Sequence, residues 1–196
     1  MNPSRSFSYA PLWHPPRSDI VLQFGHSLGG LNALVVSIRS GLDFTGLIAS
    51  APAVGVGFEP NAVKVAVGKL LAVVPFINRV TVANDLDLEF LSRDPQVAVD
   101  YKKDPLVHGY ISLRSANYVL TTGKTLVGDE FTKPMLMAHG TVDTLTSSAA
   151  SKEFFGKVAA ADKEYKSYED YRHELHNEIG KEEVIGGYRD WILARI

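Results

Sequence analysis

The 196-residue sequence predicts an α/β protein, a mostly parallel sheet flanked by helices, on three observations. The run Ile20-Val21-Leu22-Gln23-Phe24 is almost continuously apolar, as expected of a parallel strand buried on both faces. It feeds the turn Gly25-His26-Ser27-Leu28-Gly29, after which Leu28, Leu31, Leu34, Val35 and Ile38 recur at helical spacing until Gly41 stops them. The strand signature returns at Phe44 to Ala49 and again at Pro134 to Ala138. Strand, helix and strand in this order force a parallel, right-handed crossover.

Composition narrows the classes. At 45% hydrophobic residues the chain can bury one ordinary core, so disorder is not expected beyond the ends. A formal net charge of -2, with Lys and Arg scattered, offers no basic field for nucleic acid. The absence of cysteine excludes a disulfide framework, a thiol nucleophile and cysteine-ligated zinc. The first eighteen residues lack an apolar h-region and no uncharged apolar run reaches membrane-spanning length, which predicts a cytoplasmic protein, at most peripheral on membranes or lipid droplets.

Taken in order, residues 1–19 read as an irregular head, with Pro3, Pro11, Pro15 and Pro16 and no period among Phe7, Tyr9, Leu12 and Trp13. From residue 55 to about 130 the strand signature gives way to helices broken by prolines, which suggests an insertion on top of the sheet. Within it, Val63, Val67, Leu70, Leu71 and Val74 form a stripe on a helix that is apolar almost all round. That helix is either buried between cap and sheet or a wall that meets acyl chains or a lipid surface. Asp94-Pro95 opens a helix through Tyr101, Asp104-Pro105 closes it, and Ser112 to Leu120 is a further short helix. Asp85, Asp87 and Glu89 read as a solvated face, having no histidine nearby to complete a metal site. After the strand at 134–138, Ser147 or Ser148 caps a helix with Phe154, Phe155 and Val158 facing inward. Tyr165 to Tyr168 is half polar, as an edge strand tends to be. Val184, Ile185, Tyr188, Trp191 and Ile192 make a terminal amphipathic helix.

G-x-S-x-G between a buried strand and a helix is the pattern of a nucleophile elbow, in which a strained turn holds the serine oxygen above the sheet edge. A serine hydroxyl needs a base within hydrogen-bond reach, and the base needs an acid to fix its tautomer. For such elbows the order along the chain is serine, acid, histidine, on loops at the carboxyl ends of strands. Asp143 follows the 134–138 strand directly, whereas Asp129 precedes it and Asp162 ends a helix. His173 and His176 both follow the last strand and stand three apart, so the residues alone leave the base open between them, with His173 nearer the strand end. His14, His26, His108 and His139 read as structural.

The elbow Gly25 to Gly30, the segments Leu91 to Pro95 and Asp104 to His108, the loop His139-Gly140-Thr141-Val142-Asp143 and the block Tyr171 to Glu178 together resemble the monoacylglycerol lipase and lysophospholipase branch of the α/β-hydrolases. The resemblance runs from about residue 20 to the end. It implies an α/β-hydrolase-type sheet over 20–196 with a helical lid over about 52–122 whose apolar face, with Val63, Val67, Leu70 and Leu71, admits one acyl chain. It implies Ser27 as nucleophile, Asp143 as acid, His173 and not His176 as base, and the Leu28 N–H as an oxyanion donor. That branch carries further strands before the elbow, and a His-Gly turn that supplies a second oxyanion donor. No His-Gly precedes Ser27, so the chain reads as N-terminally truncated relative to the branch. Losing one such donor typically costs about 10²–10³ in turnover.

The expected activity is therefore hydrolysis of a single-chain lipid ester, a small-molecule substrate, with no cofactor, no metal and no nucleic-acid partner. Two alternatives stay beside it: a catalytically impaired or partner-dependent form, self-associating through an exposed sheet edge, and a related esterase or peptidase of the same fold.

Overall fold

Alternating apolar side chains on short strands sort the core into two halves, one on each face of a sheet. The computed structural model describes residues 20–58, 80–84 and 86–196. Along the chain lie β1 (Leu22–His26), α1 (Leu28–Arg39), β2 (Gly46–Ser50), β3 (Thr81–Ala83), α2 (Pro95–Lys103), β4 (Tyr110–Ser112), α3 (Leu113–Thr122), β5 (Met135–Gly140), α4 (Ser148–Lys157), β6 (Lys163–Tyr168) and α5 (Lys181–Leu193). Strands β1, β2, β5 and β6 pair in that order, all parallel. Leu47, Ala49, Met135 and Met137 face one side, where Leu34 of α1 and Phe154 of α4 cover them. Ile48, Leu136 and Ala138 face the other, under Val184, Tyr188 and Trp191 of α5. Each fully buried Leu, Ile or Met here contributes about 1.5–3 kcal/mol relative to exposure.

The caps follow from local chemistry. Asp94 accepts from the Gln96 N–H with Pro95 in the first turn of α2, Ser112 accepts from the Ser115 N–H before α3, and Ser147, not Ser148, accepts from the Ala150 N–H before α4. The chain direction of all four sheet strands brings their carboxyl ends to one rim, the place where sites form in this architecture.

Three expectations need correction. The first strand is not buried on both faces: it starts at Leu22, pairs with β2 alone among the described residues, and leaves Phe24 56% exposed. The insertion is not helices alone, because β3 and β4 form an antiparallel ribbon, Thr81 opposite Ser112 and Ala83 opposite Tyr110. Three-residue strands are too short to leave a period in the sequence. In α5, Ile185 points outward, half exposed, while Val184, Tyr188 and Trp191 carry the buried face. The helix expected over Asn61 to Val74 lies outside the described residues. Among the described residues no helix is long and apolar enough to cross a membrane.

Candidate active site

Crowding at the end of β1 makes the elbow. A Cβ on Gly25 would stand 2.4 Å from the Gly29 carbonyl oxygen and 2.8 Å from Gly30 Cα, so only glycine lets the strand pass under the first turn of α1. Gly29 has no such neighbour. Its carbonyl is the obstacle that Gly25 avoids. Ser27 sits at φ 54°, ψ -121°, a strained backbone for a residue with a side chain, and is held there by its N–H donating to Ser50 O and its carbonyl accepting from Leu31 and Ala53 N–H. Leu28 is the first residue of α1, so its N–H has no partner within the helix and lies at the positive end of the helix dipole.

The rim holds two more non-glycine residues with positive φ, Ala51 directly after β2 (φ 41°) and Asp170 just after β6 (φ 60°). Three strained residues after three strands of one sheet are the kind of clustering seen where side chains must be aimed rather than merely packed.

Asp143 follows β5 in a tight turn and is buried. Its Oδ1 accepts from the Leu145 and Thr146 N–H groups at 2.8 and 2.9 Å. Its Oδ2 lies 2.8 Å from His173 Nδ1, 2.7 Å from Thr146 Oγ1 and 3.1 Å from His139 Nε2. Burial alone would raise the Asp143 carboxyl, but hydrogen bonds from His139 and His173 outweigh it and hold the group well below the usual carboxylate range. An ionised acceptor at that distance keeps the proton of a neutral His173 on Nδ1 and leaves Nε2 as its basic nitrogen.

His173 reaches the elbow from the far edge of the sheet. Its ring centroid lies 4.7 Å from that of His26, the residue before Ser27, and His26 in turn meets His176 edge-on at 4.8 Å. His26 is thereby pushed down to about 3, by burial first and then by the nearby His173 and His176 rings; burial also lowers His176.

The loop that carries His173 is braced by residues 89–93. Glu174 N–H donates to Leu91 O at 2.7 Å and His173 N–H to Phe90 O at 3.4 Å. The hub is Glu178, whose buried carboxylate accepts from the Arg172, Arg93 and Ile179 N–H groups and from Arg93 Nε at 2.7–3.1 Å. Arg172 also donates to Ser92 O at 3.0 Å and to Glu89 O, and Arg93 lies over the Tyr171 ring.

The structure thus brings Asp143 and His173 into direct contact and places both beside the elbow of Ser27 and Leu28. It pairs His173, not His176, with Asp143. Val63, Val67, Leu70 and Leu71, expected to line an acyl-binding wall, lie outside the described residues. Sequence reasoning passed over His139, Thr146 and Glu178. His139 carried a signal, a polar residue following four apolar ones in a strand, four positions before Asp143; Thr146 and Glu178 carried none, since a threonine in a turn and a glutamate in a loop have no pattern that marks their partners. Among the described residues no cluster of His, Asp and Glu could hold a metal ion.

The sequence model of the family described as serine aminopeptidase, S33, matches residues 14–180. The monoacylglycerol lipase of Mycolicibacterium smegmatis is 33% identical over 190 residues, covering 93% of this chain and 65% of that protein. The crystal structure of Paleococcus ferrophilus monoacylglycerol lipase superposes with a TM-score of 0.84 at 27% identity, covering 89% of this chain and 68% of that one. A soluble variant of Saccharomyces cerevisiae monoglyceride lipase, solved with a substrate analog, gives a TM-score of 0.77 at 26% identity, covering 88% and 64%. The chain spans about two thirds of the length of these relatives. With an elbow, a parallel sheet and a family match over most of its length, the chain belongs to the serine aminopeptidase S33 family, within the monoacylglycerol lipase-like branch of the α/β-hydrolases.

Proposed function

We propose that this chain is a serine hydrolase that cleaves the carboxylic ester of a monoacylglycerol or a similar single-chain lipid. The observation that carries the reading is the 2.8 Å contact between His173 Nδ1 and Asp143 Oδ2 beside the strained Ser27 turn. Ser27 Oγ attacks the ester carbonyl carbon while His173 Nε2 takes its proton, and the same nitrogen returns that proton to the leaving alcohol oxygen as the C–O bond breaks. The acyl group remains on Ser27 until water, deprotonated by His173 Nε2, releases the fatty acid. Asp143 orients the ring and offsets the charge of the imidazolium. The Leu28 N–H donates to the carbonyl oxygen as it becomes anionic. Relatives named as monoacylglycerol lipases support the monoacyl substrate.

A fluorophosphonate probe is expected to label the folded wild-type chain and not Ser27→Ala. Side-by-side rates on monoacyl, diacyl and short-chain esters should then be highest on the monoacyl ester. A folded wild-type sample that takes no label overturns the reading, and a preference for short-chain esters moves it to a related esterase.

A second reading is favoured by the exposure of Phe24 on an apolar edge strand. In it, the same site works only when a second copy or another chain adds to the β1 flank. Sedimentation equilibrium separates the two, since a labelled, active monomer excludes the need for a partner.

A further inference from the structure

β5 is apolar from Met135 to Ala138, then ends in a histidine that is wholly buried. Among the described residues His139 Nδ1 has no hydrogen-bond partner, while Nε2 lies 3.1 Å from Asp143 Oδ2 and 3.2 Å from Thr146 Oγ1. A proton on Nδ1 would be a donor with nothing to accept it; a proton on Nε2 meets an ionised acceptor. The ring proton therefore belongs on Nε2. Burying an imidazole with one nitrogen unpaired costs free energy, so packing alone does not account for a histidine at this position.

What the imidazole does is set by what it touches. Three donors converge on one oxygen of Asp143: Thr146 Oγ1 at 2.7 Å, His173 Nδ1 at 2.8 Å and His139 Nε2 at 3.1 Å. Thr146 Oγ1 is itself fixed, 3.2 Å from Ala51 O and 3.3 Å from His173 Nδ1. We propose that His139 is a positioning residue for the hydrolase site: its Nε2–H fixes Asp143 Oδ2 against His173 and draws off part of the carboxylate's negative charge. This rests on the hydrolase reading given above. The low-lying Asp143 carboxyl, in which the His139 hydrogen bond is a leading cause, is consistent with it.

The sign of the effect follows. Without the His139 donor, the charge of Asp143 acts more fully on His173 and favours its imidazolium, so the acid limb of the rate profile moves to higher pH. The other titratable groups near this pair are His26 from β1 and, from the loop after β6, His176, which itself lies near Glu174. All of them remain in the variants below.

His139→Leu removes the donor and keeps an apolar group of similar bulk, whereas His139→Gln puts an amide N–H near the position of Nε2. On a monoacyl ester, H139L should lose about tenfold in kcat, the order expected for one hydrogen bond to a charged group, with KM little changed and the acid limb displaced upward. H139Q should recover most of kcat and restore the limb. H139L with wild-type kcat and an unmoved limb, or H139Q as impaired as H139L, overturns the proposal. A reading that needs no variant to fold comes from the ¹⁵N spectrum of the wild-type imidazoles, in which His139 should be the Nε2–H tautomer; an Nδ1–H tautomer overturns the proposal. Failure of the fluorophosphonate to label Ser27 would remove the hydrolase reading alone, and the tautomer would still decide whether His139 donates to Asp143.

Discussion

Ser27 and His173 reach the same rim from opposite edges of the sheet that the described residues form, and the two edges deliver them by different means. On the β1 side the serine follows the strand immediately, fixed by a turn whose shape depends on one missing Cβ and three backbone hydrogen bonds. On the β6 side the histidine follows the strand by five residues, on a loop held by a buried carboxylate, two arginines and the backbone of residues 90 and 91. The edges differ in finish too. β6 reads Lys-Glu-Tyr-Lys-Ser-Tyr, charged as a protected edge should be, while β1 exposes Phe24 against the Tyr188 ring. The first position is held by partners no further along the chain than Ser50 and Ala53; the second is held by contacts about eighty residues apart.

The hardest way to break this contrast is Gly25→Ala. Its methyl group would meet the Gly29 carbonyl at 2.4 Å, and backbone on both sides cannot give way without moving Ser27. Stability should fall by about 3 kcal/mol in urea denaturation. The rate of Ser27 labelling should fall by about a hundredfold or more, as expected for a nucleophile displaced by about an ångström. Gly29→Ala is the internal control: open space around that position predicts no loss and a gain of up to about 1 kcal/mol from helix propensity. Equal damage from both would show that the elbow is not set by crowding at Gly25.

That difference also explains what the sequence made legible. Parallel strands buried in the sheet interior announce themselves as apolar runs, and an elbow is a local pattern, so β1, α1, β2 and β5 and the position of Ser27 are readable from neighbouring residues. Asp143 is readable from its place directly after β5. Choosing between His173 and His176 is not, because both sit in the same short block and only the folded loop brings His173 to Asp143. Thr146 escapes for the same reason, since a threonine in a turn looks the same whether or not a buried carboxylate lies beside it. The ribbon of β3 and β4 is invisible because its stability comes from pairing across the inserted segment, not from a period within either strand.

The next break is aimed at the β6 side. Glu178→Gln keeps the shape of the hub but replaces one acceptor oxygen by an amide that points hydrogens at N–H donors of Arg93, Arg172 or Ile179. Leaving such donors unpaired in a buried site costs about 2 kcal/mol, measurable as a lower urea midpoint with an unchanged slope. Because the hub holds the loop and not the substrate, kcat should fall about tenfold with KM little altered. Ser27 should lose its reactivity to fluorophosphonate only in the same proportion, in contrast to Gly25→Ala, where the nucleophile itself is displaced. An E178Q chain with wild-type stability and kcat would mean that the backbone contacts to Phe90 and Leu91 suffice to place His173.

The smallest effect lies where the two edges touch, in the stack of His26 from β1 on His173 and His176 from the β6 side. Burial holds His26 neutral in the folded chain down to about pH 3, while in the unfolded chain it takes up a proton near the ordinary histidine value of 6.5. Between those two values the unfolded state binds more protons, so stability is fully present above about pH 6.5 and declines as the pH falls through the window, by up to about 1.4 kcal/mol per pH unit. His176, lowered by the same burial, adds to the slope with the same sign. Asparagine at position 26 can keep a polar atom near His26 Nδ1, which lies 3.3 Å from Ser50 Oγ, yet cannot titrate. Urea midpoints measured from pH 7 to pH 4 should therefore fall less steeply in His26→Asn than in the wild type, with the remaining slope due to His176 and, at the acid end of the range, to Asp143. Parallel lines for the two proteins would mean that the β1 side contributes no titrating group to the contact, and that the acid sensitivity of the chain comes from groups other than His26.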